Sequence, residues 1–252
     1  MREIKNYIKV QSLEEAYDLN QVKTNCIIAG MLWVRTSAAP MGTAIDISGL
    51  GLDKIEENEK EIRIGAMVSL RSLELNKSIN DYSNNAVKTA VKDIVGVQFR
   101  NLATVGGSIW GRFGFSDVLT VFLCMDTYVE LYKGGIIPLT DFIEMPKDRD
   151  ILLSIIVKKQ PSRFSYMAVR NQSTDFPILT CAIAKMETEY RIAIGARPMA
   201  ATLFKADTDM EEIASYVSDN IKTGSNSRGS AGYRKHLAKV LIERCLDQIG
   251  EC

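Results

Sequence analysis

The 252-residue chain contains a single histidine, His236. A His-based metal site or a Ser-His-Asp system would have to be built around it alone, which disfavours hydrolytic and metal chemistry. His236 falls in a C-terminal helical pattern and reads as a surface or interface side chain. The five cysteines, Cys26, Cys124, Cys181, Cys245 and Cys252, are odd in number, and none stands in C-x-x-C spacing. They read as scattered reduced thiols, without the ligand set of an iron–sulfur cluster. No apolar run reaches the roughly 18 residues of a membrane span. The segment Met1 to Val10 carries Arg2, Glu3, Lys5 and Lys9 and no apolar core, so it does not read as a secretory signal; a cytoplasmic protein is expected. Excess charge is also missing: Lys plus Arg and Asp plus Glu number 31 each. No global field therefore favours nucleic acid or an anionic membrane. There is no G-x-G-x-x-G after an early strand, which counts against a nicotinamide-binding Rossmann dehydrogenase.

What remains is an ordinary globular composition, long enough for one large domain or two modest ones. Ser12-x-x-Glu15 is a capping-box signal for a helix to Asn20, with Leu13, Ala16 and Tyr17 on one face. Cys26 to Ala29 is a short apolar run ending at Gly30, a buried strand feeding a turn. Strands are expected at Thr43–Ile47, Glu61–Ile64, Tyr128–Tyr132, Ile136–Pro138 and Ile151–Val157. Helices are expected over Asn85–Ile94 and from a Ser116-Asp117 cap through Leu123. A boundary reads either around Met145 to Asp150 or, in preference, at Lys158 to Arg163, beyond which the pattern changes. Strands at Phe164–Val169, Ile178–Met186, Tyr190–Ala196 and Met199–Leu203 precede helices at Asp209–Val217 and about Ser230–Gln248. Strands followed by helices is the order of an α+β unit.

The strongest local signal is Asn101 to Ile109, containing Thr104-Val105-Gly106-Gly107-Ser108. Adjacent glycines read as a tight turn whose amides a ligand approaches closely. The flanking hydroxyls add donors suited to phosphate or ribose oxygens. Exposed successive N–H groups there would form an anion-binding concavity.

In order along the chain, Cys26-Ile27-Ile28-Ala29-Gly30, Ala44-Ile45-Asp46-Ile47-Ser48, Arg63-Ile64-Gly65-Ala66, Arg100-Asn101-Leu102-Ala103-Thr104-Val105-Gly106-Gly107-Ser108 and Asp117 resemble the FAD-binding domain of molybdenum hydroxylases. Ile137-Pro138-Leu139-Thr140-Asp141-Phe142 and Ile151-Leu152-Leu153-Ser154-Ile155 are similar to its later segments. Arg191 to Pro198 resembles a strand of its C-terminal domain, and Tyr233-Arg234-Lys235-His236-Leu237-Ala238-Lys239-Val240-Leu241 resembles a helix near its end. The family is that of xanthine dehydrogenase and carbon monoxide dehydrogenase medium subunits.

The resemblance implies an α+β fold: a two-part FAD-binding domain of the vanillyl-alcohol-oxidase-like type over 1–158, then a small antiparallel-sheet-plus-helices domain over 159–252. It implies FAD, held by Ile28, Ala29, Gly30, Met31 and Leu32 on one loop and Thr104, Val105, Gly106, Gly107 and Ser108 on the other. Asp117 matches an aspartate near the cofactor, and Leu153 a strand closing over the flavin side. No catalytic acid or base is named. The partners implied are a molybdopterin-binding large subunit and an iron–sulfur small subunit, with NAD or another molecule accepting the electrons. An alternative is a diverged assembly subunit without flavin. Three departures bear on that choice. Many relatives read A-G-G followed by Thr or His, where this chain has Gly30-Met31-Leu32-Trp33 with no second glycine and no hydroxyl. Trp110, Phe113 and Phe115 replace smaller residues, and are open to flavin stacking, partner contact or core packing. Arg112 is open to a diphosphate or a surface role, and Ala168 stands where relatives carry a lysine, with Arg170 nearby.

Overall fold

The computed structural model describes residues 3–207 and 212–251. A parallel sheet comes first, in the order β1 (Ile4–Lys9), β3 (Met41–Asp46), β2 (Cys26–Ile28). Helix α1 (Leu13–Asn20) crosses from β1 to β2. Ser12 caps it by accepting from the Glu15 amide at 3.1 Å, while Glu15 Oε2 accepts from the Gln11 amide at 2.8 Å, one residue earlier than a standard capping box. Strand β1 has no apolar alternation and is largely exposed, so only its pairing with β3 reveals it.

The second sheet is antiparallel, in the order β4 (Ile55–Glu57), β5 (Glu61–Gly65), β8 (Leu152–Lys158), β6 (Thr127–Leu131), β7 (Gly135–Pro138). Between β5 and β6 run six short helices: α2 (Leu70–Leu75), α3 (Lys77–Tyr82), α4 (Ala86–Lys92), α5 (Val97–Leu102), α6 (Val105–Trp110) and α7 (Asp117–Cys124), and α8 (Leu139–Glu144) follows β7. All eight residues of α7 are buried, which makes it the central wedge of the fold. Ser116 starts it by accepting from the Leu119 amide at 3.1 Å, as the Ser-Asp pattern predicts.

The third sheet runs β12 (Thr202–Asp207), β11 (Glu189–Gly195), β10 (Pro177–Lys185), β9 (Arg163–Arg170), all antiparallel. One face, with Tyr166, Ala182, Ala184 and Ala193, joins the same core as α4, α6 and α7. The other carries Leu179, Cys181, Ile183 and Ile192 against α9 (Ile213–Asn220) and α10 (Ala231–Glu251). Burial pushes the Cys124 thiol up to about 12, and Cys181 and Cys245 are also buried. These thiols are packing groups. Cys252 lies outside the described residues.

Two expected elements move. The strand expected at Met199–Leu203 forms at Thr202–Asp207, because Arg197 donates to Ala200 O at 2.7 Å and to Lys222 O at 2.8 Å and holds that stretch in a turn. The helix expected over Asp209–Val217 is found at Ile213–Asn220; its first three expected residues lie outside the described ones. The Tyr233-Arg234 motif has a structural reason. Arg234 is fully buried and donates to Ile178 O at 2.9 Å, to Gly224 O at 2.8 Å, to Gly229 O and to Asn226 Oδ1 at 2.6 Å. It ties the Gly224–Gly229 loop to the sheet.

A buried ion pair joins α2 to α5, with Arg100 Nε 2.8 Å from Glu74 Oε2 and Arg71 2.9 Å from Glu74 Oε1. Burial pushes the Glu74 carboxyl up, but hydrogen bonds from Arg100 and Arg71 outweigh it and hold it below its ordinary 4.5. A depressed folded value contributes stability above the unfolded value and loses it as pH falls through the folded one. Glu74→Gln should therefore cost about 1.5–3 kcal/mol near neutrality. It should also flatten the fall in stability below about pH 4.5, read from urea midpoints across pH. A parallel fall in both proteins would refute this assignment.

Candidate functional site

The loop after β2 and the segment before α6 meet through glycine. A methyl group added at Gly30 would lie 1.8 Å from the Leu102 carbonyl oxygen, so the main chain at residue 30 rests on the last residue of α5. At Gly106 the same addition would meet Ala66 O at 2.6 Å. Only glycine permits backbones this close. The two segments, some seventy residues apart in sequence, form adjoining parts of one wall.

Residues 104–108 are not the tight turn expected from the Gly-Gly pair. They open α6: Thr104 is its cap, and neither glycine has positive φ. The amides here are already used. Val105 N donates to Val68 O at 2.9 Å, Gly106 N to Ala66 O at 2.9 Å, Gly107 N to Thr104 Oγ1 at 3.1 Å and Ser108 N to Thr104 O at 3.1 Å. The expected anion concavity is therefore absent from this segment, because helix capping consumes its donors. The opposite holds in the first loop. The amides of Ala29, Gly30, Met31, Leu32 and Trp33 donate to no acceptor among the described residues. The unpaired donors lie there.

Met31 stands where the resemblance places a second glycine, and its φ is +57°. The left-handed backbone survives the exchange, at a cost of about 1–2 kcal/mol for a non-glycine residue. Its side chain recovers part of this by packing with Ile28, Met41 and Ala44. Met31→Gly should change stability by no more than about 1 kcal/mol, whereas β-branched Met31→Val should lose about 1–2 kcal/mol. Thermal unfolding of the pair checks it; equal losses would mean φ is not the determinant.

A cavity of about 460 Å³ opens between the segments. Of the residues singled out by sequence, Ala29, Gly30, Met31, Leu32, Thr104, Gly106, Gly107, Ser108 and Asp117 line it. Ile28, Val105 and Leu153 do not. Ile28 and Val105 are buried in the core, and Leu153 packs with the cluster around Ile45 while its carbonyl accepts from the Ala66 amide at 2.9 Å. Sequence reasoning passed over Phe99, Phe176 and the edge residues Cys26 and Ile27, which also line the cavity. Phe176 carried a faint signal, as an aromatic between Asp175 and Pro177 at a strand start.

Phe176 belongs to an aromatic group in the lining. Trp33 lies 5.5 Å from Phe115, 5.7 Å from Phe176 and 5.9 Å from Phe113, ring centre to centre, and Phe113 stacks on Phe115 at 5.2 Å. Trp110 turns to Phe142 at 5.8 Å. Arg112 does not reach the cavity wall. Its guanidinium sits 4.0 Å over the Phe142 ring and donates to Met145 O.

Asp117, at the start of α7, is 4% exposed. Its Oδ1 accepts from Tyr166 Oη at 2.5 Å and from Arg170 Nη2 at 2.5 Å, both on β9. Burial pushes the carboxyl up, and the Arg170 charge and the two hydrogen bonds oppose it. Tyr166 is raised well above 10.0, first by burial and then by Asp117. The aspartate is thus fixed in place by the third sheet.

Unpaired main-chain donors and an aromatic group that meets them at Trp33 both line the cavity, and suit a ligand that is anionic in one part and planar in another. The fold and site define a dinucleotide-cofactor protein of the α+β class. The chain belongs to the family described as the FAD binding domain in molybdopterin dehydrogenase, whose model matches residues 2–159. It is thereby an oxidoreductase component with FAD as the family's cofactor. It is 25% identical over 248 residues to the uncharacterized protein YgfM of Escherichia coli K12, covering 95% of this chain and 94% of that one. With the glyceraldehyde dehydrogenase medium chain of Sulfolobus acidocaldarius it shares 23% over 284 residues, covering 97% and 98%. Its fold matches a chain of carbon monoxide dehydrogenase from Hydrogenophaga pseudoflava at a TM-score of 0.86 and 20% identity, covering 100% and 99%. Among the described residues no helix is long and apolar enough to cross a membrane, and no three His, Cys, Asp or Glu side chains group as a metal site.

Proposed function

We propose that this chain is the flavoprotein subunit of a molybdenum hydroxylase, passing electrons from iron–sulfur clusters on a small subunit to NAD or another acceptor. A molybdopterin-binding large subunit would select the substrate. The observation that carries the reading is the row of unpaired amides at Ala29–Trp33, on a loop that lines the cavity and rests on Leu102.

FAD, when bound, supplies the chemistry that joins one-electron donors to a two-electron acceptor. The chain's own residues bind and orient. The Ala29–Trp33 amides donate to the diphosphate, taking the role expected of both loops. Gly30 and Gly106 let the two backbone segments close on one ligand. The Asp117 oxygen not taken by Tyr166 and Arg170 accepts from a cofactor hydroxyl. The aromatic side chains exclude water from the flavin end. Within these 252 residues the cysteines lack cluster spacing, so the reading assigns the clusters to another chain.

Trp33 favours a second reading, the assembly subunit without flavin, because its ring spans from the first loop to Phe113, Phe115 and Phe176. The chain should be expressed alone and with its partner subunits, then tested for flavin absorption and for FAD released on denaturation. Stoichiometric FAD in the assembled complex supports the flavoprotein reading. A colourless complex that still assembles establishes the second.

A further inference from the structure

A slot of about 510 Å³, separate from the cofactor cavity in its main lining, follows the outer edge of β9 between α4 and α10. Strand β9 ends its sheet and pairs only with β10. One contact shows which of its main-chain groups point outward. The Phe164 amide donates to Asn84 Oδ1 at 3.0 Å instead of to its cross-strand partner Ala184. Antiparallel alternation then turns the N–H and C=O of Tyr166 and Ala168 to the same side. Outside the sheet ladder, no main-chain or side-chain acceptor takes either amide among the described residues.

The two faces of the strand are covered. Val87, Ala90 and Val91 of α4 share the core on one side with Tyr166, and Leu241, Ile242 and Cys245 of α10 pack on the other. The edge residues Tyr166 to Arg170 line the slot, and an added strand would sit about 4.8 Å out from them. Lys92 and Arg244 rise on the two walls as exposed cations without an anionic partner among the described residues, with Asp93 as the one acidic side chain lining the slot. A bare edge of this kind is an aggregation risk that folds usually block with charge, a bulge or a covering element.

The groups on this edge select the ligand. Each outward amide is accompanied by an outward carbonyl of the same residue, which repels a phosphate but matches the alternating donors and acceptors of an extended peptide. We propose that the β9 edge accepts an extended, carboxylate-bearing segment of a partner polypeptide as a fifth strand. Tyr166 and Ala168 supply the main-chain ladder, and Lys92 and Arg244 select acidic side chains. The site stands independently of flavin binding.

The test uses the full chain and three short acetylated peptides. One alternates glutamate with valine, one replaces glutamate by lysine, and one keeps glutamate but carries N-methyl groups on alternate amides. The glutamate peptide should shift the Tyr166 and Ala168 amide resonances and slow their hydrogen exchange. N-methylation should weaken binding at least about tenfold, the scale of a lost hydrogen bond with its partner left unpaired. The Lys92→Glu/Arg244→Glu double variant should reverse the preference between glutamate and lysine peptides. Ala168→Pro, tolerated on a strand edge, should abolish the ladder contact. Lack of binding at millimolar peptide, equal binding of the N-methylated peptide, or displacement by inorganic phosphate would each overturn the proposal. Flavin content measured on the same samples separates this result from the fate of the flavoprotein reading.

Discussion

Asp117→Ala should lower folding stability by about 3–5 kcal/mol, the largest single-residue loss expected of the cofactor wall. The reason is the uncompensated charge it leaves. Arg170 and Asp117 side chains are 8% and 5% exposed, and their 2.5 Å contact is buried between α7 and β9. Removing one member of such a pair strands the other in a poor solvent for ions, which costs about that amount. Removing both should not. Asp117→Leu with Arg170→Met should recover more than half of the loss, because the desolvation penalty disappears with the charges. Chemical denaturation of Asp117→Leu, Arg170→Met and the double variant gives the coupling directly. Additive losses would show that the pair does not carry the wall. The double variant should still bind less FAD than the parent if the free Asp117 oxygen holds a cofactor hydroxyl.

Gly30→Ala is the second large effect. The new methyl would stand 1.8 Å from a main-chain oxygen, and no flexible side chain is there to yield. The loop must move off Leu102, at about 1–3 kcal/mol of overpacking. More tellingly, its row of amides would leave the cavity wall, so FAD retention should fall at least about tenfold, the equivalent of about 1.4 kcal/mol. Gly107→Ala is the control, since its added methyl meets only Thr104 Oγ1 at 3.1 Å and the position is helical. Equal FAD retention in the two variants would remove Gly30 from the site.

The contrast between these glycines shows what was legible beforehand. The Gly30 turn and the Ser116 cap were visible because their signals are local: an apolar run broken by glycine, and a hydroxyl before an apolar helix. The Gly-Gly pair was legible as a close-approach site but not as a helix start. Thr104 had to be recognised as a cap, and its competition for the Gly107 amide decided the outcome. Arg112 looked equally suited to a diphosphate or to solvent, and the Phe142 ring settled its place. Strand β1 gave no pattern, because an exposed strand need not alternate.

Taken alone, the order of short motifs determined the family, since each motif needs only near neighbours in sequence to be specified. Tertiary structure decided which loop offers free amides, that Asp117 is gripped from β9 by Tyr166 and Arg170, and that Trp33 joins an aromatic group with Phe176. Those facts depend on contacts between residues far apart in the chain. No local propensity encodes such contacts; they arise when burial forces distant polar groups and rings to find one another.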